Sequence, residues 1–179
     1  MFERRKSESA YWRNKANDLL GAAGLVWLGM QSDNTDNAIK LGLPVGYSFK
    51  VACPATYRML CGMAIELLIK AILVQRGQEP AAIHDLNKLA QQASLPLDEN
   101  SSNILKILSE SVLWDGRYPV PKAERHFLEL RNLQYEVMTT KVPLGSLHVL
   151  RPNGALNWEG FTAVWVRFND VYLAEQAEQ

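Results

Sequence analysis

The stretch Cys61–Gly77, CGMAIELLIKAILVQRG, constrains the fold more than any other part of the chain. Met59, Leu60, Met63, Ile65, Leu67, Leu68, Ile69, Ile72 and Leu73 cover nearly every side of a helical wheel. A helix of this kind has to be enclosed by other helices and cannot simply lie on a surface. The expected helix runs from Thr56 to Arg76, with Gly77 as its C-terminal stop. Two charges interrupt it. Glu66 and Lys70 stand four apart with the acid first, the favourable order for sharing one face. Desolvating an unpaired charge is costly, so the two residues mark one polar seam of a core helix. The seam is either a structural ion pair or the polar wall of a ligand site, and the sequence leaves both readings open.

The rest of the chain offers helices to enclose it. From Ser9 to Met30, Tyr11, Leu19, Leu20, Ala23, Val26 and Trp27 recur near three-and-four spacing, and the polar run Gln31–Asn37 ends that helix. Residues 40–55, with Gly42, Pro44, Gly46 and Pro54, read as an irregular connection. HDLNKLAQQASL (84–95) is a short amphipathic helix, and SSNILKILSESVLW (101–114) is another, opened by Ser101, Ser102 or Asn103 as N-cap. DGRYPVP forces an extended path before helical spacing returns over 122–138. SLHVLRPNGALNW sets two apolar runs around Pro-Asn-Gly, a turn signal that predicts a small β-hairpin near residues 147–158. The last helix places Phe161, Val164, Trp165, Phe168 and Tyr172 on its inner side. The expected class is therefore all-α, in a single domain over 1–179.

Composition narrows the partners. Lys plus Arg and Asp plus Glu both number 19, so no global field draws the chain to nucleic acid or an anionic membrane, and any such binding needs a local patch. The basic cluster Arg4, Arg5 and Lys6 reads as a frayed terminus or as a contact to RNA phosphates. The longest uncharged run, Leu19 to Ser32, has 14 residues where a spanning helix needs about 20, so no membrane segment is expected. No secretory or organellar leader pattern opens the chain. Cys53 and Cys61 fit free thiols in a reducing cytoplasm. His84, His126 and His148 are too scattered for an obvious zinc site, and neither a phosphate-cradling Gly-rich loop nor a nucleophile elbow is present, so no metal or cofactor is expected.

Three pieces occur in a specific order: AIELLIKAILVQRG, then HDLNKLA, then a helix ending in WDGRYPVP. In that order and spacing, over about residues 9–138, the chain resembles the HEPN superfamily, the higher eukaryote and prokaryote nucleotide-binding domains. The resemblance implies an antiparallel bundle of four to five helices that pairs into a homodimer, with nucleotide or RNA near the interface. It also implies a setting in defence or toxin–antitoxin systems, and a nucleotidyltransferase-type protein as partner.

Many members of that superfamily are metal-independent ribonucleases that use an Arg followed, after four to six residues, by a His. The His moves a proton at the ribose while the Arg neutralises the phosphate. No histidine here has that Arg. For His84 the required positions hold Gly77, Gln78 and Glu79, for His126 Pro119, Val120 and Pro121, and for His148 Lys141, Val142 and Pro143. Arg131 and Asn132 resemble the start of the motif, but Glu136, Val137 and Met138 stand where the His belongs.

The candidate site is accordingly the Arg117–Tyr118 loop, stiffened by Pro119 and Pro121, where a guanidinium can grip phosphate and a ring can stack on a base. The competing reading has Tyr118 plugging the bundle end and Arg117 tied to Asp115 or Glu66. His84 and Asp85 open a helix, either as a cap or with His84 across from Arg117 as the missing proton-transfer group. Arg131, Asn132 and Tyr135 read as a solvated or dimer-facing surface, or else as part of the site. The expected function is a non-catalytic nucleotide-, RNA- or partner-binding module. The alternatives are a ribonuclease with a rearranged site on Arg117, His84 and Arg131, and a plain interaction scaffold.

Overall fold

The computed structural model describes residues 1–31 and 35–177. Of the polar run expected to end the first long helix, Ser32–Asn34 lie outside the described residues. The elements in chain order are α1 (Phe2–Ser7), α2 (Ser9–Gln31), α3 (Thr35–Lys40), α4 (Phe49–Ala52), α5 (Pro54–Gln75), α6 (Leu86–Gln92), α7 (Glu99–Glu110), a π-helical turn (Ser111–Asp115), α8 (Glu124–Met138), β1 (Thr139–Leu144), β2 (Leu147–Pro152) and α9 (Trp158–Ala177).

The all-α expectation holds, and α5 is the central helix. Its buried residues include Tyr57, Cys61, Ile65, Leu68, Ile69, Ile72 and Leu73, and α2, α6, α7, the π turn and α9 all pack on it. Pro54 sits at the first helical position, where its missing N–H costs nothing. Gly77 adopts φ +68°, and the Gln78 amide bonds back to the Leu73 carbonyl at 2.9 Å, which closes the helix as a glycine stop should.

Side-chain contacts give the helix directions. Trp27, late in α2, lies 5.3 Å from Tyr57, early in α5, so the two helices run antiparallel. The buried face of α2 is Ala16, Ala23 and Met30, spaced by seven, with small residues that let the backbones approach. Leu108 at the end of α7 and Val112 in the π turn meet Gly62 in the first half of α5, so α7 is antiparallel to α5. Trp114 lies 6.3 Å from Phe127, which brings α8 back along α7. α9 closes the bundle: Gln75 Nε2 donates to the Tyr172 carbonyl at 3.1 Å, and Arg76 pairs with Glu175. All five inner residues expected on α9 are buried.

Four local expectations need correction. The N-cap of α7 is Asp98, whose carboxylate accepts from the Ser101 amide at 2.6 Å; Ser101, Ser102 and Asn103 already lie inside the helix. The expected 101–114 helix changes hand-over at Glu110 into the π turn, with the Gly116 amide reaching the Ser111 carbonyl at 3.0 Å. The irregular connection over 40–55 contains the single-turn helix α4 and the start of α5. The hairpin exists, but its turn is Gly145–Ser146 and its strands pair from Thr139↔Pro152 to Leu144↔Leu147. Gly145 has φ +60° while Ser146 does not, as a type II′ turn requires, whereas Pro-Asn-Gly at 152–154 leads out of β2 into α9.

The basic N-terminus is helical rather than frayed: Arg4 pairs with Glu8 at 2.7 Å and Lys6 with Glu79 at 2.9 Å. No described helix is long and apolar enough to cross a membrane.

Candidate functional site

The residues singled out from the sequence separate into three places. The first is the seam on α5. Glu66 and Lys70 are both buried, and Lys70 Nζ donates to Glu66 Oε1 at 2.8 Å. The other carboxylate oxygen, Oε2, lies 2.9 Å from His84 Nδ1. Both oxygens of Glu66 are therefore engaged, and the carboxylate ties the start of the α6 segment to the core helix. The His84 side chain is 51% exposed. Asp85 is the N-cap of α6, accepting from the Lys88 amide at 3.1 Å. The capping account of Asp85 thus has its hydrogen bond.

The second place is the loop after the π turn. π turns are rare and frequently occur at functional sites, because the extra residue re-aims the side chains around it. Here it seats Trp114 against the bundle, with Nε1 donating to Glu110 Oε2 at 2.7 Å, and releases Arg117 and Tyr118 to the surface. Arg117 is not tied to either carboxylate that the sequence suggested. Asp115 is taken by Arg58 at 2.8 Å, and Glu66 is taken by Lys70 and His84. Nor does Tyr118 plug the bundle, being 53% exposed. Arg117 instead stacks on its neighbour, the guanidinium carbon 5.2 Å from the Tyr118 ring centre, with Nη2 donating to the Tyr118 hydroxyl at 3.2 Å.

Tyr118 forms one wall of a cleft of about 680 Å³ shared with Glu110, Trp114, Pro119, Pro121, Lys122 and His126. This volume lies within the range that holds small-molecule ligands, roughly 300–1,000 Å³. Lys122 makes no ion pair among the described residues, and His126 has only a loose approach of 3.7 Å to Glu129. A larger cleft, about 730 Å³, lies between α1 and Gly77–Pro80, where Glu3 and Glu79 stand against Arg5 and Lys6. In the cleft beside Tyr118 the exposed ring stands with Lys122, while the Glu110 carboxylate there accepts from Trp114.

The third place is the exposed face of α8. Arg131 and Asn132 are both on the surface, Arg131 lying 5.3 Å from the Phe127 ring and 3.4 Å from Gln134 Oε1. His84 docks on the Glu66 turn of α5, whereas Gly116, beside Arg117, packs on Met59 two turns earlier. No described hydrogen bond or cleft joins His84 to Arg117.

Sequence reasoning missed Lys122, His126 and Trp114 as companions of Tyr118. His126 has neither a metal-ligand spacing nor the Arg–His spacing to mark it. The signal was nonetheless present: two prolines in a short connection fold the end of one helix beside the start of the next, so residues on either side of the loop share a cleft. Among the described residues no group of three or more His, Cys, Asp or Glu could hold a metal ion.

Comparison with known proteins gives one finding. Residues 57–139 match the family model described as the HEPN domain. No curated protein and no solved structure matches the chain.

Proposed function

We propose that this protein, whose residues 57–139 match the HEPN domain model, is a cytoplasmic HEPN-type binding module that takes a nucleotide or an RNA end in the Tyr118 cleft and does not cleave it. The observation that carries this reading is the exposed Arg117–Tyr118 pair. The guanidinium has no carboxylate partner among the described residues, and the ring it rests on lines the cleft. A phosphate would meet Lys122 with Arg117 nearby, and a base would stack against the exposed Tyr118 ring. Arg suits phosphate because it donates in a planar fork, and an aromatic ring suits any base because every base has a π-face.

The absent Arg–His spacing supports binding without cleavage, and the family supports a defence or toxin–antitoxin setting, beside a nucleotidyltransferase-type partner and as a homodimer. The test is anisotropy of labelled ATP and of a labelled ten-nucleotide RNA with the native protein, Arg117→Ala and Tyr118→Ala. Loss of the stacked ring should weaken binding by roughly 1–3 kcal/mol, about 5- to 150-fold. Equal affinity in all three proteins overturns the cleft assignment.

One observation favours a second reading. His126 shares the cleft with Tyr118, so a rearranged ribonuclease would be built on Arg117 and His126, not on His84. Cleavage of end-labelled RNA that disappears in Arg117→Ala and His126→Ala would establish this reading in place of the first.

A further inference from the structure

The hairpin lies beyond the residues that match the family and is left unused by the cleft. Every residue of β2 is exposed, and an isolated two-stranded ribbon is at best marginally stable in water. Its base is clamped: the Asn153 amide reaches the Met138 carbonyl at 3.0 Å, and Asn153 Nδ2 the Val137 carbonyl at 2.9 Å. The rest projects without cover.

The register sorts its side chains. Val142, Val149, Leu144 and Leu147 share one face, with Thr140 and Arg151 at the base; Lys141, Leu150, Pro143 and His148 share the other. Leu144 is 63% and Leu147 70% exposed. The charge is of one sign: from Thr139 to Trp158 there are Lys141 and Arg151 and no Asp or Glu, and His148 adds a ring that can donate a hydrogen bond. None of the three makes an ion pair among the described residues.

The two edges are unequal. In a hairpin with a two-residue turn the closing pair, Leu144–Leu147, exchanges hydrogen bonds, so the outward backbone groups belong to alternate residues from there. On β1 these are Thr139, Lys141 and Pro143; Thr139 is half-buried at the end of α8, its hydroxyl on the Tyr135 carbonyl, and the proline has no N–H to offer. On β2 they are His148, Leu150 and Pro152; the proline at the base again lacks an N–H, but His148 and Leu150 are two consecutive exposed positions with both donor and acceptor. Long, exposed apolar edges invite a further strand.

We propose that the β2 edge docks an extended, acidic segment of a partner protein, which adds a third strand beside His148 and Leu150. Alternate residues of that segment would be apolar, extending the Val142–Val149–Leu144–Leu147 face, and acidic, facing Lys141 and His148. Main-chain bonds supply the affinity in this mode and the alternating side chains the specificity. Charge decides the occupant. A second copy pairing edge to edge would bring two ribbons of like net charge together, and a nucleic acid would leave the aliphatic face uncovered.

The test uses two capped nine-residue peptides, one alternating Val and Glu and one alternating Val and Lys, titrated into the labelled full chain and followed by amide NMR. The expected result is shifts and slowed exchange at the His148 and Leu150 amides with the Glu peptide alone. The triple variant Lys141→Glu, His148→Glu, Arg151→Glu should reverse the preference. Inner amides of Val142 and Val149 report that the hairpin stays folded in each variant. No shift at millimolar peptide, equal shifts with both peptides, or shifts that require RNA or rising protein concentration in place of peptide each overturn the proposal. Because the cleft assay uses other probes and other residues, the two assignments fail independently.

Discussion

Removing one partner of the Glu66–Lys70 pair should be the most damaging single polar change in this protein. The two side chains are 8% and 11% exposed, so solvent screening does little to weaken their interaction, and the contact is 2.8 Å. Replacing Glu66 by Leu leaves the Lys70 ammonium buried without its carboxylate, at a cost of about 3–5 kcal/mol. It also releases His84, but that contact is half in water and adds little. At roughly 2–4 °C per kcal/mol for a chain of this size, Glu66→Leu should lower Tm by about 6–20 °C. The double variant Glu66→Leu, Lys70→Met removes both charges while keeping volume, and should recover most or all of the loss. Urea denaturation of the native protein, the two single variants and the double closes the cycle. A cost below about 1 kcal/mol for Glu66→Leu, or a double variant no more stable than that single one, would refute the buried-pair argument. RNA affinity measured on the double variant separates the two readings of the seam: unchanged affinity means a structural pair, and lost affinity in a folded protein means a ligand wall.

Three further outcomes are expected. Gly62→Ala places a methyl group 2.8 Å from the Leu108 carbonyl oxygen and 2.7 Å from Val112, and backbone cannot move aside cheaply; overpacking of about 1–3 kcal/mol should outweigh a helix-propensity gain of about 0.8–1 kcal/mol, so the urea midpoint should fall. The Asp98 carboxyl is held down to about 2 by hydrogen bonds from the Ser101 side chain and amide and then by Arg167. Its folded-state value lies below the usual carboxylate range, so its contribution is complete above about pH 4 and fades as pH falls towards 2; Asp98→Asn should flatten that limb of a stability-against-pH profile. Burial pushes the Cys61 thiol up to about 12, whereas Cys53 is partly exposed; iodoacetamide at pH 8 should label Cys53 alone until the chain is unfolded, as mass spectrometry of the peptides will show.

Much of the bundle was legible because its signals are local. The stop at Gly77 follows from one residue's freedom to take positive φ, and the inner face of α9 from spacing alone. The misread pieces are those in which two local signals competed. Pro152-Asn153-Gly154 is a strong turn pattern, yet Gly145–Ser146 closes the hairpin, because the strand pairing that sets its register involves Thr139–Leu144, a stretch with no alternating pattern to mark it. At α7, Asn100, Ser101, Ser102 and Asn103 all suit a cap, yet they lie inside the helix, and Asp98 caps because its backbone is the extended one before it.

The sequence by itself determined that α5 is enclosed, that Glu66 and Lys70 share a face and that no Arg–His pair has the family's ribonuclease spacing, since all three depend on intervals along one chain. Only the tertiary structure decided that Asp115 belongs to Arg58, that Glu66 also holds His84, and that Arg117 is left to Tyr118, whose ring lines a cleft with Lys122 and His126. Which carboxylate neutralises which cation depends on distances of a few ångströms between helices. Those distances come from packing the apolar faces, and no interval in the sequence encodes them.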